Sequence, residues 1–414
     1  MSELTYIEPS RKLKVNDTCD VLVIGGGTAG VVAALAAART GAKTILVERY
    51  GFLGGTMLGG ACGIHSYFNV FKPYGREKKQ VVQGIPGEIA DRMIARGACP
   101  GHIEQERGYD QFSVVTTFDR EAYKLLSLEM MEEAGVILLL HTFCASVIMD
   151  GNNIKGVIVE SKGGREVILA NCVIDCSGDA DVAYMAGCEL VQNIEPYDVG
   201  MVFAMANVDI PRLEVFMDEN GVLDHIAHGE KGGTGKDKVV RLAGKFSANP
   251  HLKKQVEELG IWGMYTFSCH EGELTYINGS RVPALKDTSS EEMTRAEIQS
   301  RKKINEMAKF FIKSFPGFEN AYVSWTCAQI GIRRTRVIKC EHDLSSEEID
   351  SGARFDDEIG LYGFHDMGPL HVIDINPYLH SGVKSSIIGT TYYDGGLQYG
   401  RQKSRKIQKK NTLG

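Results

Sequence analysis

Gly25, Gly27 and Gly30 stand in the spacing G-x-G-x-x-G, and a lone carboxylate, Glu48, follows downstream. That set of residue types is suited to holding a dinucleotide. Gly25 permits a tight turn, Gly27 leaves room for a pyrophosphate to approach the backbone, and Gly30 allows close packing. Thr28 and Ala29 lie between the last two glycines and join them as cofactor-facing positions. Glu48 can accept hydrogen bonds from a ribose diol and disfavours a 2′-phosphate. The surrounding pattern supplies the elements needed to position these groups: an apolar strand over 21–24, an alanine-rich helix over 31–39 closed by Gly41, and a second strand over 44–47 ending at Glu48. The helix start would present free N–H groups and a positive dipole end to phosphate.

Further side chains offer candidate chemistry. Arg333, Arg334 and Arg336 are always charged and pair bidentately with carboxylates, so they are candidates for anchoring an anionic or carbonyl-bearing substrate. The alternative for all three is a set of structural or cofactor-phosphate ion pairs. His65 follows a glycine-dense loop over 51–63 and is a candidate proton donor, because imidazole titrates near neutrality; a packed structural histidine is the plainer reading. Cys62 lies in that loop without a CxxC partner and reads as a small packed residue. His365 and His371 lack the spacing of a metal pair, and no metal site is expected. Tyr392 and Tyr393 either face a site or pack.

Composition bounds the rest. The chain has 414 residues, 43% hydrophobic and 24% charged, with a net charge of −7. A large core and two domains are expected, with no nucleic-acid role for the body of the protein. No apolar run reaches the length of a membrane span, and the first residues lack a signal-peptide core, so a cytoplasmic protein with reduced thiols is expected. Residues 401–414 carry six Lys or Arg and no acid, which predicts a disordered basic tail. Along the chain, helices are expected near 87–96, over 119–134 with Asp119 as N-cap, and over 290–314 with a serine cap. Strands over 136–149, 154–160 and 166–169 read as a β-meander, with a separate strand over 173–176. Alternating strands near 201–208 and 273–278 belong to a second unit.

Two later segments carry a family resemblance. Arg49 is followed by Leu53-Gly54-Gly55-Thr56, and Val173-Ile174-Asp175-Cys176-Ser177-Gly178-Asp179 closes an apolar strand on Ser-Gly-Asp. The latter resembles the Ala-Thr-Gly-Asp segment of glutathione-reductase-type flavoproteins. With the meander between them, the chain resembles FAD-dependent oxidoreductases related to the flavoprotein subunits of fumarate reductase and succinate dehydrogenase. Residues 316–338 and 351–360 are similar to one bacterial branch of that family.

The resemblance implies FAD as cofactor, a small organic substrate and an external electron donor or acceptor. It implies that Gly25, Gly27 and Gly30 cradle the pyrophosphate, Glu48 binds the adenosine ribose, and Arg49 lies near the adenosine half. Gly54, Gly55 and Thr56 would line the path to the flavin ring, the backbone at Cys144 would meet the adenine edge, and Gly178 and Asp179 would approach from the second crossing. The expected fold is α/β: a Rossmann-type FAD-binding domain of parallel sheet plus β-meander, formed by 17–200 and 325–400, with an inserted α+β substrate domain over 201–324. Near Tyr399-Gly400 the resemblance stops, where the family continues into an Ala-Gly-Arg strand end and a flavin-facing helix. Two rival readings therefore stand beside the enzyme: an incomplete flavoprotein or one subunit of a shared site, and a nicotinamide-dependent dehydrogenase.

Overall fold

Leu22, Val23 and Ile24 close the first strand, Lys14–Ile24, whose polar beginning is exposed and whose apolar end is buried. Successive residues of that end feed opposite faces: Val23 packs into one apolar cluster, and Leu22 and Ile24 into another. Strands buried on both faces are the mark of a parallel sheet covered by helices. The computed structural model describes residues 5–59, 63–108, 112–192, 198–231, 235–261, 263–332 and 335–339.

The first sheet has six strands in the order Ile137–Leu139, Thr44–Val47, Lys14–Ile24, Gly164–Asp175, Asn153–Ser161 and Phe143–Asp150. The first four run parallel, and the last two complete an antiparallel meander. The sequence reading separated strands over 166–169 and 173–176; the structure joins them. Gly164–Asp175 is continuous and pairs with the first strand from Lys14↔Glu166 to Ile24↔Asp175. Ala170 and Asn171 interrupt the apolar run, but the backbone ladder carries the strand through. Helices Thr28–Arg39, Ile85–Ala95 and Arg120–Glu133 bury Val31, Leu35, Ile89, Met93, Leu126 and Met130 in a common core.

The second sheet is antiparallel, in the order Leu223–His228, Val239–Gly244, Met264–Phe267, Glu273–Asn278, Phe203–Ala206 and Tyr322–Thr326. Helices Ile210–Glu219, Pro250–Glu258 and Ser290–Ser314 contribute Leu213, Met217, Val256, Met307 and Phe311 to its core. The long helix starts at Ser289, whose hydroxyl accepts the Glu292 N–H at 3.3 Å. A small sheet of Ile64–His65, Val114–Thr117 and Ile103–Glu104 joins this body through a bridge between Arg107 and Ile226. No helix among the described residues is long and apolar enough to cross a membrane. The tail 401–414, the segment 340–400 and the side chains at 62, 365, 371, 392 and 393 lie outside the described residues.

Candidate dinucleotide-binding site

The first glycine loop is set by close backbone approach. Gly25 has φ +98°, and a Cβ there would lie 2.4 Å from the Cys176 carbonyl oxygen. At Gly30 a Cβ would lie 1.8 Å from the Gly25 carbonyl oxygen. At Gly27 it would meet only the Gly55 Cα, at 3.9 Å. The second glycine loop lies directly against the first: Gly54 N–H donates to Gly26 O at 2.8 Å, and Gly55 has φ +52°. Thr56 opens a single helical turn, Thr56–Gly59, just beyond.

Helix Thr28–Arg39 begins at Gly27 with no side-chain cap and no acid in its first turn. Its first intrahelical bond runs from Val31 N to Gly27 O at 2.9 Å, so the N–H groups of Thr28, Ala29 and Gly30 have no intrahelical acceptor. An uncapped helix start beside a position open to a Cβ suits a diphosphate in shape and in charge.

Glu48 is 5% exposed. Its Oε2 accepts the Gly26 N–H at 2.6 Å and its Oε1 the Tyr50 N–H at 2.8 Å. This carboxylate therefore pins the glycine loop to the second strand, and each oxygen retains capacity for a further donor such as a ribose hydroxyl. The chain around Cys144 runs alongside: Thr142 N donates to Glu48 O at 3.0 Å and His141 N to Tyr50 O at 3.2 Å. Burial pushes the Cys144 thiol up to about 12, aided by Asp175 and Asp181, so its side chain is inert. Arg49 donates to Gln329 Oε1 at 3.1 Å and lies 5.1 Å from the centre of the Tyr50 ring. The Tyr50 hydroxyl bonds to the same amide oxygen.

At the second crossing Gly178 has φ +86°. The turn is held by Asp175, whose Oδ1 accepts the Ser177 hydroxyl at 2.7 Å and whose Oδ2 accepts the Ala183 N–H at 3.0 Å. Asp179 accepts the Thr335 hydroxyl at 2.6 Å. Burial raises its pKa, the Thr335 bond opposes this, Asp181 adds to it, and Arg49 and Arg336 also oppose it. Arg336 pairs with Asp181 at 2.5 Å and lies 4.4 Å from the centre of the Tyr184 ring. Arg333 and Arg334 lie outside the described residues.

His65 is 2% exposed, and neither ring nitrogen has a hydrogen-bond partner among the described residues. Burial lowers its pKa from 6.5 to about 3. The ring is thus neutral at physiological pH, with its centre 4.6 Å from that of Phe118. It can exchange hydrogen bonds, and burial disfavours its charged form near neutrality. Sequence reasoning missed Tyr50, which lies beside Glu48 and Arg49 in the chain, and Gln329 and Thr335, which meet the motif through contacts distant along it.

The parallel sheet, the paired glycine loops and the carboxylate after the second strand define a dinucleotide-binding protein of the two-crossing kind. The chain matches the family described as FAD dependent oxidoreductase over residues 20–367 and belongs to it; FAD is its cofactor. A digeranylgeranylglycerophospholipid reductase of Methanoculleus marisnigri is 29% identical over 198 residues, 46% of this chain and 46% of that protein. The mitochondrial dihydrolipoyl dehydrogenase 2 of Arabidopsis thaliana is 36% identical over 91 residues, 19% of this chain and 18% of that protein. The matches span less than half the length of these curated relatives. A geranylgeranyl bacteriochlorophyll reductase-like structure from Thermoplasma acidophilum aligns at 15% identity and TM-score 0.47, covering 95% of this chain and 84% of that one.

Proposed function

We propose that this protein is an oxidoreductase that moves hydride between a small organic substrate and FAD, with an external electron donor or acceptor completing the cycle. The observation that carries the reading is the pair of glycine loops, pressed together at Gly26 and Gly54 while the Gly27 position stays open. When bound, FAD supplies a two-electron centre whose N5 takes or gives hydride.

The chain's own residues would do the rest. The N–H groups of Thr28, Ala29 and Gly30 would bind the diphosphate, with Gly25, Gly27, Gly54, Gly55 and Thr56 shaping its path. Glu48 would accept a ribose hydroxyl, Arg49 would serve the adenosine half, and Gly178 and Asp179 would meet the cofactor at the second crossing. His65, a neutral ring in an apolar setting, would exchange a hydrogen bond with a ligand and would not act as a charged acid. Arg333 and Arg334 keep the substrate-anchoring role that their chemistry suggests. On this reading 17–200 with 325–400 forms the cofactor body, and 201–324 covers the substrate.

The test is the visible spectrum of the purified protein, identification of the released cofactor, and anaerobic bleaching by small reduced organic compounds. The proposal expects near-stoichiometric FAD that a substrate bleaches. A protein that takes up no FAD, or whose FAD no substrate reduces or reoxidises, overturns it.

A further inference from the structure

Arg49 is an unusual neighbour for a dinucleotide motif because its partners are all uncharged. Its guanidinium donates to the Gln329 amide oxygen at 3.1 Å and stacks near Tyr50. No carboxylate stands within ion-pair distance of it among the described residues, although its charge is felt at Asp179. A neutral acceptor orients a guanidinium without cancelling its charge, whereas a carboxylate in that place would do both.

Gln329 is itself firmly held. The Tyr50 hydroxyl donates to the same oxygen. The next residue, Ile330, donates its N–H to Glu297 Oε1 at 2.7 Å on the long helix. Gly331 N donates to Gly200 O at 2.6 Å, and Arg301 reaches Cys327 O at 3.4 Å. A segment tied to the long helix and to Gly200 therefore delivers one amide to the end of the second parallel strand, beside Glu48.

We propose that Gln329 is a positioning residue: it holds Arg49 with its charge unspent, so that the guanidinium clamps the anionic dinucleotide from the adenosine side. This inference rests on the reading that the two glycine loops hold FAD. The latch links cofactor retention to the antiparallel sheet, because the amide follows its strand Tyr322–Thr326 and the guanidinium follows the dinucleotide motif.

The experiment measures the rate of FAD release from the full-length holoprotein, read by recovery of flavin fluorescence on dilution. It compares wild type, Gln329→Leu, Arg49→Met and the double variant, with apoprotein melting followed alongside. Loss of a charge-assisted hydrogen bond predicts release about ten-fold faster for each single variant. If Gln329 acts through Arg49, the double variant releases FAD within about two-fold of Arg49→Met alone. Apoprotein melting should be the same in all four, since the effect lies in ligand retention. Tyr50→Phe, which removes one of the two donors to the amide, should accelerate release in the same direction and covers the case in which Gln329→Leu fails to fold. Unchanged release in Gln329→Leu or Tyr50→Phe, or single effects that multiply in the double variant, overturns the latch while leaving the cofactor reading intact. A wild-type protein that takes up no FAD overturns the cofactor reading, and the latch with it.

Discussion

Gly30 and Gly27 occupy one loop, but different demands keep them glycine. A methyl group at Gly30 would lie 1.8 Å from the Gly25 carbonyl oxygen, so the helix start could not seat without shifting backbone. A methyl at Gly27 would meet a single Cα at 3.9 Å, an ordinary contact, and φ there is −67°. Nothing in the folded chain forbids alanine at Gly27; a ligand in the open cradle would. Gly30→Ala is therefore expected to destabilise the apoprotein by about 3 kcal/mol through overpacking. Gly27→Ala should leave apoprotein stability within about 0.5 kcal/mol and weaken FAD binding by about ten-fold or more. Urea denaturation and FAD titration of both variants separate the two roles; equal destabilisation with unchanged FAD affinity would refute the assignment. The glycine spacing was legible because the motif is local. The second duty of Glu48, fastening Gly26 to the strand end, was not: the carboxylate's place in sequence shows which strand it ends but not which N–H it meets.

At the scale of elements, helix Arg120–Glu133 shows how far local signals reach. Asp119 was readable as its N-cap, and its Oδ1 accepts the Ala122 N–H at 2.7 Å. Its Oδ2 is taken by His270 Nε2 at 2.5 Å, a partner from the turn between two strands of the other sheet that no local pattern announces. The same limit explains the strands Val239–Gly244 and Met264–Phe267, which the sequence reading left unassigned. They are short and almost wholly buried, so polar–apolar alternation is weak in them. The Asp119 bond raises the His270 pKa, burial opposes it, Glu273 adds to it and Arg120 works against it. For Asp119, burial pushes the carboxyl up, but the bonds from His270 and Ala122 outweigh it and the pKa falls below 3.8. The raised His270 value means that its contribution is fully present below 6.5 and is lost as pH rises through the folded-state pKa. Asp119→Asn keeps a good cap and removes the charge; Asp119→Ala removes both. The wild-type advantage over Asp119→Asn should therefore shrink as pH rises above 6.5. Asp119→Ala should lie about 1 kcal/mol below Asp119→Asn at every pH. Denaturation curves across that range check both, and a pH-independent gap between wild type and Asp119→Asn would count against the pair.

For the whole molecule, the question is what joins two bodies with separate cores. Four consecutive residues answer much of it. Thr117 meets the Cys269 thiol at 3.7 Å, Phe118 O accepts the Tyr276 hydroxyl at 2.9 Å, and Asp119 holds His270. Arg120 donates to Glu273 at 3.1 Å and to Thr275 O at 3.2 Å, and lies 4.7 Å from the centre of the Trp325 ring. The sequence pattern changes near residue 200, close to where the first strand of the antiparallel sheet, Phe203–Ala206, begins. The tie was not visible, because it pairs residues more than a hundred positions apart. Arg120 and Glu273 are only 12% and 16% exposed, so their pair sits largely out of water. Taking one partner away strands a buried charge, whereas removing both with well-packed apolar groups can be nearly neutral. Arg120→Ala is accordingly expected to lower stability by about 3 kcal/mol. The double variant Arg120→Leu/Glu273→Leu should recover most of that loss while still lacking every charge of the pair. Calorimetry of the two variants decides the point. Recovery in the double variant means the ion pair specifies how the bodies meet more than it stabilises them. A double variant as unstable as the single would mean the pair, with the Arg120 stack on Trp325, is itself a main source of the cohesion between the two cores.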